Sequence, residues 1–435
     1  VNINININEI DKLLNQIFPI YRSFTGDGVR RTLKIIKEQI PLNIQDVASG
    51  DKIYDWTIPD EWRVKNAFVK NEKGEMIVDF NKNKLHLMVY SIPIEGWFTF
   101  DELKENIFTL PEQPDLIPYK TSYFGRRYGF CLTHNDFMKM DPTQKYFVKI
   151  DTEFIKGSLT YADLLIKGKT NKELLISTYI CHPSLGNDNT SGIVLTTFLA
   201  KFLLKKENYY SYRFVFAPET LGSIVYINKN YATLKKNVIG GYIVTCVGDK
   251  GDFTYLQTRN GDSLVDRTTK SVLNELYKTN HKVVGYKNCW SDERQYNFPG
   301  MGLNVGSLMR TKYGSYPEYH TSADDLNLIS SVNIQESLDA YIKCLDLFEK
   351  NRIYKSDTVC EPYLTKYNMY PTTASCGINA SKEKRNFRNT LEILHYCDGG
   401  KDLIEISEIL DIDISTVISC IEALLENKLI SVVSN

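Results

Sequence analysis

The sequence predicts an α/β fold: a three-layer α/β/α core with a mixed central sheet, a small β-rich insertion and a C-terminal winged-helix unit. Three observations carry this. Short apolar runs alternate with helical segments over residues 159–350, the pattern of strands covered on both faces by helices. From about Val47 to Ile150 the runs are short and aromatic-rich, separated by Pro, Gly, Asn and Asp clusters, which is strand-and-turn patterning. The last residues read helix, helix, helix, strand in a small space.

A chain of 435 residues exceeds what one hydrophobic core usually serves. The expected division is 1–46, helices of the main domain; 47–150, the insertion; 151–355, the main core; 356–388, a loop-rich linker; and 389–435, the winged-helix-like unit. Ile10, Leu13, Leu14, Ile17 and Phe18 are spaced by threes and fours, so the chain opens on an amphipathic helix. A turn follows at Arg22–Arg30, with two glycines and an aspartate. It reads first as a helix junction, and second as a place where two arginines face a ligand.

In the insertion, Trp97, Tyr119, Tyr123, Phe124, Arg126, Arg127 and Tyr128 mix aromatics with arginines. A unit of this size must bury aromatics, so core and rim is the preferred reading and a substrate mouth the alternative. In the core, strands are expected at Leu174–Ile180, Tyr212–Ala217, Gly240–Val247 and Leu303–Met309. Helices are expected around Ile193–Leu204, from Ser223 and over Leu264–Lys278. Residues carrying chemistry then belong in loops at strand ends.

Composition narrows the function classes. A hydrophobic fraction of 43% and a charged fraction of 24% are those of an ordinary globular protein. The net charge of -1 gives no global attraction to nucleic acid or anionic lipid. Val1–Ile10 does not read as a signal peptide, and no segment reaches the ~18 apolar residues of a membrane span. Nine scattered cysteines without a C-x-x-C pair read as reduced thiols, and the expected location is the cytoplasm. The winged-helix unit carries nine acidic residues against Lys401 and Lys428, and its candidate recognition helix, Ser415–Asn427, has no Arg or Lys. Such a face repels a duplex, so direct DNA binding is not expected; packing against the main core or a sister subunit is.

Three segments carry chemistry. Thr178–Gly192 leaves a strand at His182 and enters a helix at Ser191, and it can aim an imidazole and the Asp188 carboxylate at one point. Helix capping by Asp188 and Asn189 is the plainer alternative. Phe216–Ser223 sets Glu219 at a strand end before another helix, where it can serve as a base or simply favour the helix dipole. Pro317–Asp325 supplies His320 with Asp324 four residues on, and Ser291-Asp292 precedes it. Of six histidines, only His182 and His320 sit in such contexts.

In this order the motifs resemble the zinc exopeptidases typified by aminopeptidase S and glutamate carboxypeptidase. The matches are His182, Gly186–Gly192 with Asp188, Glu219 before Gly222-Ser223, Ser291-Asp292, and Tyr319-His320-Thr321 with Asp324. More closely, Pro-Glu-Thr-Leu-Gly-Ser and Glu-Tyr-His-Thr-Ser-Ala-Asp are similar to strings in bacterial aminopeptidase-like proteins that carry a small inserted domain and a C-terminal winged helix. The resemblance implies a zinc metallo-aminopeptidase core over 151–355, with His182, Asp188 and His320 as ligands and Glu219 as general base toward a zinc-activated water. It also implies Tyr319 as a helper of the oxyanion.

Two departures qualify this expectation. The family's second Glu falls on Thr220, and the Asp serving the other zinc falls near Thr245 or Cys246. One zinc is therefore expected rather than two, although Asp249 or Glu219 remains a candidate to complete a second site. Asp292 and Asp324 are expected to orient other groups or sit in turns rather than ligate. The expected substrate is a small peptide or an amide-containing small molecule. The alternatives are a single-zinc enzyme acting on an amide or acyl group of a non-peptide such as an amino sugar, and a non-catalytic ligand-sensing protein. Homo-oligomerisation stays open.

Overall fold

A computed structural model describes residues 6–369 and 382–433; Cys376 and part of the linker lie outside them. The chain divides into two units, Val1–Val265 with Lys282–Tyr341, and Asp266–His281 with Ile342–Asn435.

The first unit opens on α1 (Ile7–Ile17), which buries Ile10, Leu13, Leu14 and Ile17 as their spacing requires. The turn to α2 (Asp27–Lys37) is tight: a Cβ on Gly28 would lie 1.8 Å from the Tyr21 carbonyl oxygen. Both arginines of this turn tie the junction to the rest of the unit. Fully buried Arg22 donates to Ile17 O at 2.6 Å and to Thr190 Oγ1 at 3.0 Å, and Arg30 forks between Asp27 and Glu61.

The central sheet has eight strands: β1 (Asn43–Ala48), β2 (Ser158–Ile166), β3 (Glu173–Tyr179), β4 (Ser211–Ala217), β5 (Val238–Ile243), β6 (Phe253–Leu256), β7 (His281–Val284) and β8 (Val305–Met309). Their order is β1-β2-β4-β3-β5-β8-β6-β7. The four middle strands β4, β3, β5 and β8 run parallel, while β1 and β2 lie antiparallel on one side and β6 pairs antiparallel with β8 on the other. The sheet is therefore mixed, as expected. Every residue of β3, β4 and β8 is buried, which is why these strands read as unbroken apolar runs without alternation. Helices α3 (Gly192–Leu203) and α4 (Leu221–Asn237) follow β3 and β4 directly.

The insertion leaves after β1 and returns at β2, and these strands pair with each other, Val47 opposite Leu159. It forms an antiparallel four-stranded sheet in the order Met76–Asp79, Glu61–Asn71, Lys145–Ile155, Ile94–Thr99. Trp62, Val69, Phe130, Tyr146 and Val148 form its core. Phe124 packs against that core, and Arg126 lies over the Phe154 ring. Trp97 stays half exposed against Phe147.

In the second unit, helices Lys382–Tyr396, Leu403–Leu410 and Ile414–Glu426 accompany a three-stranded sheet. Its middle strand is Ile353–Ser356, flanked by Asp398–Asp402 and Ile430–Val432. Among the described residues no helix is long and apolar enough to cross a membrane.

Candidate metal centre

Four loops leave the C-terminal ends of the parallel strands and converge. Tyr179 stands opposite Ala217, and Ser177 opposite Ile243, so β3, β4 and β5 end nearly level. The loop after β3 carries His182 and Asp188; after β4 comes Glu219; after β5 come Thr245, Cys246 and Asp249; after β8 come Tyr316, Tyr319, His320 and Asp324. This is the edge at which open α/β sheets place ligands.

His182, Asp188 and His320 meet there, with one potential ligand atom from each lying within 4.8 Å of the others. Nε2 of His320 is 3.0 Å from Asp188 Oδ2, and Nε2 of His182 is 3.9 Å from the same oxygen. Despite that proximity, Asp188 Oδ2 and His320 Nε2 are buried without a hydrogen bond of acceptable geometry. Nδ1 of His182 lies 3.6 Å from Cys181 Sγ, leaving Nε2 to face the carboxylate. Glu219 completes the group: its Oε2 is 3.9 Å from His182 Nε2, and its Oε1 accepts the Ser291 hydroxyl at 2.5 Å.

Burial and charge set the protonation states. Burial, opposed by Asp188, pushes His182 down to about 4, so it is neutral near pH 7. Burial alone would raise Asp188, but the two imidazoles and the Tyr179 hydroxyl outweigh it and hold the group at about 2. Burial, then the charges of Asp292 and Asp188, drive Glu219 well above the ordinary carboxylate range.

The other acids are fully engaged. Asp292 accepts from Thr220 N at 2.7 Å and Ser223 Oγ at 2.8 Å, fixing the start of α4 beside Glu219. Asp324 accepts from Asn187 N at 2.5 Å, Asp188 N at 3.1 Å and Tyr316 Oη at 3.2 Å, and so holds the Asp188 loop. Asp249 takes Asn187 Nδ2 at 2.8 Å and Thr311 Oγ1 at 2.7 Å. Tyr319 stacks on His320, ring centroids 3.9 Å apart.

Tyr179 escaped the sequence reading, and Tyr119 was read only as core and rim or as part of a substrate mouth. Tyr179, the last residue of β3, donates to Asp188 Oδ1; its position at a strand end next to the site was the available signal. Tyr119, from the insertion, donates its backbone N–H to His320 O at 2.7 Å, and its ring packs against both imidazoles at 4.9 and 5.3 Å. No spacing rule connects it to residues so distant in the chain. Left-handed backbone also gathers here, at Ser184, Thr220, Cys246 and His320. Each such residue costs about 1–3 kcal/mol and is typical of positions held for function.

Residues 11–351 match the family described as Domain of unknown function (DUF4910). The chain belongs to that family. Residues 352–432 of this DUF4910 protein match a winged helix-turn-helix family. A Clostridium acetobutylicum protein, provisionally named as a polysaccharide biosynthesis protein with an aminopeptidase-like domain, is 45% identical over 363 residues, 83% of each chain. A crystal structure from the same species, provisionally described as a peptidase, superposes with a TM-score of 0.90 at 40% identity, covering 98% of this chain and 96% of that one. The zinc aminopeptidase of Bacillus subtilis shares the fold at 13% identity, with a TM-score of 0.59 over 79% of this chain and 93% of that one. The DUF4910 chain is thus built on the aminopeptidase-like fold, with a winged helix after it.

Proposed function

We propose that this protein is a zinc-dependent amide hydrolase of aminopeptidase type, with one cation held by His182, Asp188 and His320. The observation that carries the reading is the pair of buried, unpartnered atoms Asp188 Oδ2 and His320 Nε2, facing each other with His182 Nε2 beside them. Buried polar groups left unsatisfied cost about 1–3 kcal/mol each, and a divalent cation would satisfy both. Two imidazoles and one carboxylate suit zinc. When bound, zinc polarises a carbonyl and makes water more acidic.

The chain's own groups supply the rest. Glu219, raised in basicity and held through Oε1 by Ser291, directs Oε2 toward the centre. It accepts the proton of the attacking water and delivers it to the departing amine. Tyr319 is driven far above its ordinary value, first by burial and then by Asp188. It stays protonated and donates to the developing oxyanion.

The substrate class is a small peptide or an amide-containing small molecule. The name of the Clostridium relative points to polysaccharide biosynthesis, which favours an N-acylated amino sugar as the second reading. Nothing in the reading requires duplex DNA.

The test loads the protein with zinc, measures metal per chain, and compares amine release from a peptide pool with release from N-acyl amino sugars. Glu219→Gln should cut turnover by ~10²–10⁴-fold with zinc retained. Turnover that survives this substitution would refute the role of Glu219.

A further inference from the structure

The resemblance to the zinc exopeptidases implies places for two ions, and here the outer side of Asp188 is occupied by a hydrogen bond. Asp188 has two oxygens. Only Oδ2 faces the imidazoles; Oδ1 accepts the Tyr179 hydroxyl, which is itself 2.6 Å from Thr245 Oγ1. A phenol has a single proton to donate, and here it is spent on the carboxylate. Tyr179 is only 2% exposed.

The remaining acids offer no substitute. Asp249 takes four hydrogen bonds, from Asn187, from Thr311 twice and from Gly251. Asp292 and Asp324 have both oxygens occupied by N–H and O–H donors. At the positions where that resemblance implies further carboxylates, this chain has Thr220 and Thr245 or Cys246. Among the described residues, Asp188 Oδ2 and Glu219 Oε2 are the carboxylate oxygens left open toward the centre.

We propose that Tyr179, backed by Thr245, is the positioning residue that closes the outer side of Asp188, so that a second divalent cation would need both the loss of its hydroxyl and a further carboxylate. The phenolic O–H stands where a second cation would draw on Oδ1. It gives that oxygen a hydrogen-bond partner without adding charge and keeps the carboxylate plane turned so that Oδ2 points at the histidines. The proposal rests on the three ligands forming a metal centre.

The test is metal stoichiometry and affinity, read without substrate. Cobalt(II) is titrated into metal-free full-length protein and followed by its visible absorption, and zinc per chain is measured by elemental mass spectrometry. Wild type should take one ion. Tyr179→Phe should still take one, bound ~10–100-fold more weakly and with an altered cobalt spectrum, because the carboxylate loses its fixed orientation. Tyr179→Phe combined with Thr245→Asp should take two. Circular dichroism and a thermal melt show which variants are folded, and Thr245→Val supplies a milder version of the first change, with a smaller loss of affinity. Two ions in the wild type would overturn this proposal and leave the metal-centre reading intact. No ion in the wild type would overturn both. Unaltered affinity and spectrum in folded Tyr179→Phe would show that the hydroxyl does not position Asp188.

Discussion

One physical cause acts on Glu219 and Tyr319, the proposed base and oxyanion partner. Burial disfavours an anion in both. It makes the carboxylate a stronger base and keeps the phenol a donor. In the proposed mechanism, base and oxyanion partner share the same dry environment, and each should fail separately. Tyr319→Phe removes a hydroxyl while keeping the ring that stacks on His320 at 3.9 Å. The expected result is a fall in kcat of ~10²–10³-fold, with KM and zinc content nearly unchanged. Steady-state kinetics on zinc-loaded protein check this; an equal loss confined to KM would assign Tyr319 to substrate binding instead.

Among the elements, the turn from β3 into α3 does the most to build the site, and its weak point is Gly192. A Cβ there would lie 2.1 Å from Asn189 Oδ1 and 2.5 Å from Val244 O. Neither can retreat cheaply: Asn189 donates to Thr178 Oγ1 and Tyr179 O, and Val244, just past β5, donates its N–H to Ser177 O. Gly192→Ala should therefore cost about 1–3 kcal/mol and weaken zinc binding by displacing Asp188. Thermal denaturation with and without zinc would show both effects; a melt and an affinity equal to wild type would mean the loop yields freely. Much of this level was legible in the sequence. The runs at Leu174–Ile180 and Tyr212–Ala217 are strands within a residue or two of their expected bounds, because full burial on both faces leaves a continuous apolar signature. The loops that gather His182, Asp188 and His320 could be read from the strand ends they leave. The last two strands on that side of the sheet, β6 and β7, four residues each, are too short to stand out from their surroundings. The middle strand of the winged unit, Ile353–Ser356, lies in sequence far from the helices it serves, and contacts that depend on tertiary pairing leave no local pattern. The approach of Tyr119 to the two imidazoles was hidden for the same reason.

On the scale of the first unit as a whole, one buried acid joins three segments. Glu61, 2% exposed, accepts from Arg30 of α2 at 2.6 and 2.9 Å, from Arg63 of its own strand at 3.0 Å, and from Ser158 N of β2 at 3.2 Å. It thereby fastens the N-terminal helices and the inserted sheet to the central one. Burial by itself would raise its pKa, but the hydrogen bonds from Arg30, Ser158 and Arg63 outweigh burial and hold it at about 2. In the unfolded chain a glutamate titrates near ~4.3. A carboxylate whose folded value is depressed contributes stability that is fully present above ~4.3 and is lost as pH falls toward about 2. Glu61→Gln should lower the Tm at neutral pH, by the loss of charge-assisted hydrogen bonds worth about 2 kcal/mol. It should also flatten the decline of Tm between pH 5 and 2, since the group whose protonation drives part of that decline is gone. The gap between wild type and variant must therefore narrow as the solution is acidified. A gap that stays constant from pH 7 to pH 2 would mean that Glu61 has the same pKa folded and unfolded, so that its hydrogen bonds do not favour the carboxylate.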